Sequence, residues 1–411
     1  MSGWPKRYRP ALVGFWALAF AIIAALCVFQ PPPPGWDLHV YANAVRSLRA
    51  GHDPYADGIA VQQIFHNQLA LHPDAMPPYT YVYSPLTLPL LRIIGRLPLG
   101  LVAAVYWVVY AAGLLSAVLM GLMFAEPEEI RILSLLAPAA VFLPGLLESN
   151  ALLSGNLAYI LYGLIFTSAL AGWRRGDWRW FYGVTLLASC FKAPLLSLLA
   201  IPVLSARRQW LSASLAAIAG VLLFAVQPRL WPSAFHSYLQ AVALQFSYNH
   251  DFGVSPAGLV GNAMFGLGRP YSSASTWCYL IYAPAVFGAL LYLSRRFLAG
   301  LISLQRWVPV MLLGVVLLDP RIKEYDVAPL TLPMAMIGWR LIRRIHVSTR
   351  PVLTAALLYC AVNVAAFRSD SFWKVAEGLL LVGLFTAGYL DLLRRGVDLP
   401  AQPGVSVPLA A

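Results

Sequence analysis

Residues 181–206, FYGVTLLASCFKAPLLSLLAIPVLSA, form one long apolar run. The run is longer than the roughly 20 apolar residues that one membrane crossing needs, and it carries Lys192 and Pro194 near its middle. Arginines flank it on both sides, at Arg174, Arg175, Arg179, Arg207 and Arg208. Because Lys and Arg gather on the cytoplasmic side of membrane proteins, both ends belong there. Proline disfavours helix at the residue before it, so the sequence predicts a hairpin of two half-length helices with its apex at residues 192–194.

The composition of the whole chain indicates a membrane protein. The chain has 411 residues, of which 60% are hydrophobic and only 11% charged, whereas a soluble domain has about 25% charged residues. These values exclude a soluble enzyme, and the 13% aromatic content excludes a disordered chain. The 29 Lys and Arg residues are scattered between apolar runs, so they indicate topology and no nucleic-acid partner. The cysteines are predicted to be buried packing residues, at Cys27, Cys190, Cys278 and Cys360.

Other apolar runs supply the remaining helices. Full-length runs cover residues 12–29, 99–124, 152–172, 211–227, 276–293, 352–367 and 375–393. Shorter runs cover residues 84–97, 132–147, 307–318 and 327–339. We therefore expect an all-α polytopic membrane protein with about 10–12 transmembrane helices, some of them short or broken. The first run meets a proline stretch and has no small-residue cleavage site, so a retained helix is favoured over a signal peptide.

The distribution of charge predicts the orientation. With the N-terminus in the cytoplasm, the whole formal net charge of +12 falls on the cytoplasmic side. The main extracytoplasmic segments are then residues 30–97 and 228–275, and six of the seven histidines lie outside. We expect one integral domain over residues 1–396, in the inner (plasma) membrane, and a disordered cytoplasmic tail over residues 397–411. Both termini are cytoplasmic in this arrangement, and the polar residues gather on the outer side.

The first outer segment begins with Gly35-Trp36-Asp37-Leu38-His39-Val40-Tyr41. Apolar side chains share one helix face after it, at Leu38, Tyr41, Val45 and Leu48, which predicts an amphipathic helix at the outer membrane interface. Asp37 stands where an N-cap belongs, and Gly51 where a C-cap belongs. A carboxylate just past a membrane helix is also placed for general-base work on a bilayer-anchored substrate. Sequence statistics favour the cap, and the two roles are compatible.

Two further features each have two interpretations. Tyrosines recur in residues 51–57 and 79–86, as expected of an interfacial aromatic belt or of a sugar-binding wall. Charged residues inside apolar runs are rare and usually functional. The Lys192 ammonium therefore either meets a lipid phosphate or extends to the headgroups as long cationic side chains do.

The outer loop at residues 318–326, LDPRIKEYD, places two cations beside three acids. Arg321 and Lys323 could clamp a phosphate or pyrophosphate, while Asp326 or Glu324 could orient an acceptor hydroxyl. The alternative is a self-neutralising salt-bridge cluster. We favour a functional loop, because it joins two helices that are too short to span a bilayer alone. The sequence contains no Walker A, GxSxG or HExxH motif, which argues against an ATPase and against serine or zinc proteases.

Several short motifs occur in an order that resembles one known family. The motifs are Asp37–Tyr41 (Asp-x-x-x-Tyr), Gly51–Tyr55 (Gly-x-x-Pro-Tyr), Tyr83-Ser84-Pro85-Leu86, Ser154-Gly155-Asn156, Lys192-Ala193-Pro194-Leu195 and Pro320–Asp326. Over residues 36–339 the chain resembles glycosyltransferase family 87, within the GT-C superfamily of polytopic transferases. It departs from that family at Asn156, where many members have Gln, and in the loop at residues 320–326, where better-known members have a Trp/His pattern.

The resemblance implies an inverting transferase that moves a hexose, most often mannose, from a polyprenyl-phosphate-linked donor to a lipid or glycan acceptor on the extracytoplasmic face. Asp37 would be the general base, and Arg321, Lys323 and Lys192 would bind the donor phosphate. The sugar and acceptor would contact His39, Tyr41, Tyr55, Tyr83, Asn156, Tyr325 and Asp326. No cofactor is required, no metal ligands are predicted, and the partners are membrane lipids and the two substrates. The alternatives are a transporter or flippase of a lipid-linked saccharide and an O-antigen-ligase-like enzyme with a pyrophosphate-linked donor.

Overall fold

The computed structural model describes residues 35–68, 79–126, 129–130, 155–247, 252–269, 272–345 and 370–395. Every regular element over these residues is a helix, which confirms the all-α prediction for this part of the chain. The predicted crossings at residues 12–29, 132–147 and 352–367 lie outside the described residues, as does the predicted tail at residues 397–411.

The described helices fall into three groups along the chain. The first group is α1 (Trp36–Arg49), α2 (Pro54–Gln68), a 3₁₀ turn (Pro85–Thr87), α3 (Leu88–Ile94) and α4 (Leu99–Met123). The second is α5 (Ala158–Arg175), α6 (Arg179–Phe191), a 3₁₀ helix (Ala193–Leu199), α7 (Ala200–Ser205), α8 (Trp210–Ala225), α9 (Gln227–Leu230) and α10 (Pro232–Ser247). The third is α11 (Pro256–Gly266), α12 (Ala274–Leu298), α13 (Leu304–Val316), α14 (Glu324–Val327), a 3₁₀ turn (Ala328–Leu330), α15 (Thr331–Ile345) and α16 (Asp370–Arg395).

Three of the described helical segments are long and apolar enough to cross a membrane: Trp210–Leu230, Ala274–Leu298 and Lys374–Arg394. The first two carry apolar side chains that remain largely uncovered, among them Leu211 at 71% exposure and Ile281 at 72%. Such surfaces are expected where acyl chains rather than water surround a helix. The shorter helix α13 is different, since nearly its whole length is buried and packs against α12, α15 and α16. It forms the centre of the bundle.

The run at residues 181–206 folds back on itself, as predicted. α6 ends before Lys192, whose backbone is extended (φ −136°, ψ 95°). The chain then returns through the 3₁₀ helix and α7, so that the Tyr182 hydroxyl, near the start of α6, donates to Gln209 Oε1 at 3.0 Å. The returning limb is helical, as predicted, but only its last six residues form an α-helix. Pro202 has no N–H to donate to the carbonyl four residues back, and the limb is a 3₁₀ helix over its first seven residues.

Polar contacts between the helices occur at both ends of the bundle, and the two ends differ in the residues that make them. At the basic end, arginines bind carbonyls and carboxylates of neighbouring segments: Arg207 to the Leu298 carbonyl, Arg296 to the Leu393 carbonyl, Arg306 to Glu126 and Arg340 to Glu129. At the opposite end, the loop end, Tyr279 near the start of α12 donates to the Leu318 carbonyl at 2.8 Å. α12 has 25 residues and separates the two ends by about 37 Å. Residues predicted to be cytoplasmic thus meet at one end, and residues predicted to lie outside meet at the other.

A small second core at the loop end holds α1. It is built from α1, α2, the segment around Tyr81, α3 and α10. Val45 is buried in it, and Tyr41 and Leu48 pack against it. The apolar face of α1 therefore contacts protein, whereas the sequence predicted contact with the membrane interface. The difference arises because α2 and α3 pack on α1, and the apolar pattern of α1 alone does not distinguish a protein neighbour from the membrane interface.

Candidate functional site

Asp37 lies half-buried in the first turn of α1. The helix begins at Trp36, and its N-cap is Gly35, whose backbone is extended (φ −57°, ψ 150°). The prediction that Asp37 is the N-cap is therefore wrong, since the helix starts two residues before the apolar pattern does. A carboxylate in the first turn still benefits from the positive end of the helix dipole. The predicted end of the helix is confirmed, because Gly51 follows it with φ 80°.

The carboxylate of Asp37 has a partner that is 119 residues away in the sequence. It accepts a hydrogen bond from Asn156 Nδ2 at 3.0 Å. Asn156 is buried in the turn before α5, and its Oδ1 accepts the backbone N–H of Ala158 at 2.8 Å. A backbone N–H can only donate, so Oδ1 faces it and the amide NH₂ faces Asp37. The orientation of the Asn156 amide is thus determined by its two contacts.

The turn that carries Asn156 is held by α1 and α4. The Tyr106 hydroxyl of α4 donates to the Gly155 carbonyl, and the Leu157 N–H donates to the Tyr41 hydroxyl of α1 at 3.3 Å. Gly155 has φ 67°, and a Cβ on it would lie 3.3 Å from the Leu38 Cβ. Glycine therefore permits both the backbone conformation and the close approach of the turn to α1.

Tyr41 and Tyr83 lie beside this carboxylate, and Tyr55 supports them. The hydroxyls of Tyr41 and Tyr83 are 2.6 Å apart, and the Tyr55 hydroxyl donates to the Tyr83 carbonyl at 2.5 Å. Tyr55 has no exposed surface, and its ring contacts those of Tyr81 and Tyr238. It therefore orients Tyr83 and has no surface to present to a sugar. The predicted His39 lies exposed on α1.

The two tyrosine hydroxyls remain neutral. Burial raises the pKa of Tyr41 well above its usual value, with smaller contributions from Tyr83 and from the charge of Asp37. Burial, and next the charge of Asp37, raise the pKa of Tyr83 in the same way. Both hydroxyls are therefore protonated at physiological pH, and they offer hydrogen bonds beside the carboxylate.

Lys192, at the apex of the hairpin, forms an ion pair with Asp326. Its Nζ contacts both carboxylate oxygens, and Asp326 has no exposed surface while the Lys192 side chain keeps 21%. Asp326 Oδ2 also accepts the Lys323 N–H at 3.0 Å. From the sequence, the Lys192 ammonium was expected to meet either a lipid phosphate or the headgroup region. An ion pair with Asp326 was not among these predictions. Asp326 likewise does not face an acceptor, because Lys192 and the Lys323 backbone bind it.

The loop at residues 318–326 is docked on the segment before α11. The Val254 N–H donates to the Ile322 carbonyl at 2.7 Å, and the Ser255 hydroxyl donates to the Pro320 carbonyl at 2.6 Å. The Nζ of Lys192 and of Lys323 lie 5.5 and 5.6 Å from the centre of the Tyr325 ring, which is a cation–π distance. The loop therefore has a fixed shape that places Lys323 and Tyr325 side by side.

Asp319 is a site residue that the sequence argument did not single out. It is 3% exposed, and its Oδ1 accepts the Arg321 N–H at 2.8 Å. Burial, and next the negative charge of Asp326, raise the pKa of Asp319 to about 7. The sequence does carry one indication of this role: Asp319 follows the apolar helix α13, and a carboxylate in that position is liable to be buried. Ser255 and Tyr106 had no local signal, because their partners are distant in sequence.

The two halves of the predicted site lie at the loop end, around the start of α5. Asn156 precedes α5, and Tyr162, one turn into it, lies within electrostatic range of Asp326 and Asp319. Ala158 and Tyr162 are separated by about 6 Å along the helix axis. On the other side, Arg321 lies within electrostatic range of Tyr238, which packs against Tyr55. The structure thus brings Asp37, the tyrosines and the cationic loop to one region.

Over the described ranges, no group of three or more His, Cys, Asp or Glu side chains is arranged to hold a metal ion. The chain matches no model of a known protein family and no curated protein.

Proposed function

We propose that this chain is a multi-pass membrane glycosyltransferase of the inverting type. It transfers a hexose, with mannose as the first candidate, from a polyprenyl-phosphate-linked donor to a lipid or glycan acceptor on the extracytoplasmic side of the inner membrane. The proposal includes a GT-C-like bundle of about 10–12 crossings, to which the three long apolar helices would belong. The observation that carries it is a half-buried carboxylate, Asp37, at the same end of the bundle as a docked cationic loop.

Asp37 is the proposed general base. A base must lie within hydrogen-bond reach of the acceptor hydroxyl and be held in place. Asn156 holds the carboxylate at 3.0 Å, and the neutral hydroxyls of Tyr41 and Tyr83 lie beside it. Tyrosine rings with polar tips suit the alternating apolar and polar surface of a sugar.

Lys323 and Arg321 are the proposed contacts of the donor phosphate. Both are partly exposed on the docked loop, and a cation at this point would stabilise the charge that develops on the leaving phosphate. We assign Lys192 a different role, because Asp326 neutralises its charge. The ion pair between them holds the hairpin apex to the loop.

The proposed reaction balances without a nucleotide. The acceptor oxygen attacks the anomeric carbon and its proton passes to Asp37, while the bond between that carbon and the phosphate oxygen breaks. The products are an inverted glycoside and the polyprenyl phosphate, through an oxocarbenium-like transition state of the kind known for glycoside hydrolysis.

The choice of donor can be tested with the purified full-length chain in liposomes. Labelled mannose is supplied on polyprenyl monophosphate in one arm and on polyprenyl pyrophosphate in the other, with total membrane lipid as acceptor. We expect a new mannosylated product, identified by mass spectrometry, in the monophosphate arm alone. Product in the pyrophosphate arm alone would favour the O-antigen-ligase-like alternative. Movement of labelled lipid across the bilayer without a new glycosidic bond would identify a flippase and contradict the proposal.

A further inference from the structure

The contact between Asn156 and Asp37 assigns a role to a residue that the resemblance placed among the sugar ligands. Asn156 is 6% exposed, so little of it can touch a substrate. Its oxygen is bound to the Ala158 N–H and its NH₂ donates to Asp37. The turn around it is bound in addition by Tyr41 and Tyr106. The Asn156 amide is therefore fixed by the backbone on one side and hydrogen-bonded to the Asp37 carboxylate on the other.

A donor held against one carboxylate oxygen has two consequences. It sets the plane in which the carboxylate lies, because the donor approaches along a lone-pair direction of that oxygen. It also stabilises the charged form, which lowers the pH at which the carboxylate takes up a proton. Among the titratable groups within electrostatic range of Asp37 are the hydroxyls of Tyr83 and Tyr106 on other elements and that of Tyr41 on α1. In contrast to these phenols, the Asn156 amide cannot ionise.

We infer that Asn156 is the positioning residue of the base: its amide aims the Asp37 carboxylate and keeps it ionised. This inference rests on the proposed function for its catalytic meaning. The contact itself is a property of the fold, so it can be tested apart from activity.

Two substitutions separate positioning from a structural role. Asn156→Asp keeps an oxygen for the Ala158 N–H and has nearly the same shape, so the start of α5 is preserved. It replaces the donor that faces Asp37 by a second carboxyl group, and two carboxyl groups in contact cannot both ionise easily. Asn156→Ala removes the donor and the acceptor together. Asn43→Ala is the matched control, since Asn43 is exposed on α1, the helix that carries Asp37.

The first readout is independent of activity. The carboxylate band of Asp37 is titrated by infrared difference spectroscopy, with the corresponding Asp37→Asn chain as the reference for each variant. We expect the midpoint to rise by about one pH unit in Asn156→Ala and by more in Asn156→Asp, and to be unchanged in Asn43→Ala. Unchanged midpoints in both Asn156 variants would overturn the inference, even if the chain proves to have no transferase activity.

The second readout is the pH profile of transfer. We expect the acidic limb of kcat/KM to move to higher pH in Asn156→Asp and Asn156→Ala by the shifts seen in the infrared titration. If Asn156 only stabilised α5, Asn156→Asp would have the wild-type profile, and that result would overturn the inference. An inactive wild-type chain with shifted infrared midpoints would instead contradict the proposed function and leave the positioning role intact.

Discussion

Among single residues, the buried ion pair between Lys192 and Asp326 has the most direct effect on stability. Asp326 has no exposed surface, and its charge is offset by Lys192. An ion pair of this kind contributes little net stability relative to apolar residues, but removal of one partner leaves an uncompensated buried charge. The two residues are 134 positions apart, so the pair connects the hairpin apex to the loop at residues 318–326.

We predict that Lys192→Met destabilises the folded chain by about 3–5 kcal/mol, because the buried Asp326 carboxylate then loses the cation that contacts both of its oxygens. The double variant Lys192→Met/Asp326→Asn should recover most of this loss, since the amide oxygen can still accept the Lys323 N–H. The measurement is the unfolding midpoint in detergent. The control is Asp177→Asn, which breaks the exposed pair with Arg179 and should leave the unfolding midpoint nearly unchanged, because solvent screens exposed pairs. If Lys192→Met were as stable as the wild type, the ion pair between Lys192 and Asp326 would be contradicted.

The raised pKa of Asp319 predicts a pH dependence of stability. The usual pKa of the group is 3.8, and the folded value is about 7, so the folded chain holds a proton that the unfolded chain releases between these values. The stability that Asp319 contributes is complete below pH 3.8 and is lost as the pH rises through 7. We therefore expect the advantage of Asp319→Asn over the wild type to increase from pH 5 to pH 8. The control is Asn43→Ala, an exposed site whose substitution removes no ionisable group, so its difference from the wild type should not change with pH. An advantage that shrinks over this range would contradict the burial of a protonated Asp319.

At the scale of elements, the docked loop depends on one glycine. Gly253 has φ 79°, and a Cβ on it would lie 2.4 Å from the Ile322 carbonyl oxygen. The matched control is Gly268, which has φ 71° but nothing within 4 Å. We predict that Gly268→Ala costs only the conformational penalty of about 1–2 kcal/mol. Gly253→Ala should cost more and should also reduce transfer, because it displaces the loop that carries Arg321 and Lys323.

The Gly253 comparison is measured by thermal unfolding in detergent and by the transfer rate of each variant. Equal losses of stability in the two glycine variants would show that the contact with Ile322 does not hold the loop. Unchanged transfer in a folded Gly253→Ala chain would contradict the role of the loop in the site.

Helices could be predicted from the sequence better than their contacts. Each predicted apolar run in the described ranges contains a helix, and three of these helical segments are long and apolar enough to cross a membrane. The flanking arginines with Pro194 indicated the turn at Lys192. The predicted start of α1 was wrong. Gly35 and Asp37 are both suitable N-caps, and which of them caps the helix depends on the backbone conformation that follows the proline stretch. The pairs Asp37–Asn156 and Lys192–Asp326 had no local signal, since they form only when distant helices pack.

At the scale of the whole molecule, the two ends of the bundle make the predicted orientation testable. Ala50 is exposed after α1 at the loop end, and Ala299 is exposed after α12 at the basic end. In a chain with its four cysteines replaced, we predict that a membrane-impermeant maleimide labels Ala50→Cys in intact cells. Ala299→Cys should react only after the membrane is permeabilised, because basic segments stay in the cytoplasm. The reverse pattern would place the candidate site in the cytoplasm.

The proposed transfer reaction and its base are tested most directly by the rate of one variant. The full-length chain is reconstituted with labelled polyprenyl-phosphate mannose and membrane lipid, and the initial rate of product formation is compared between wild type, Asp37→Asn and Asp57→Asn. We predict that Asp37→Asn, while folded, loses at least about 100-fold in rate, the usual contribution of a general base, and that Asp57→Asn keeps the wild-type rate. A folded Asp37→Asn chain that transfers mannose at the wild-type rate would contradict the account.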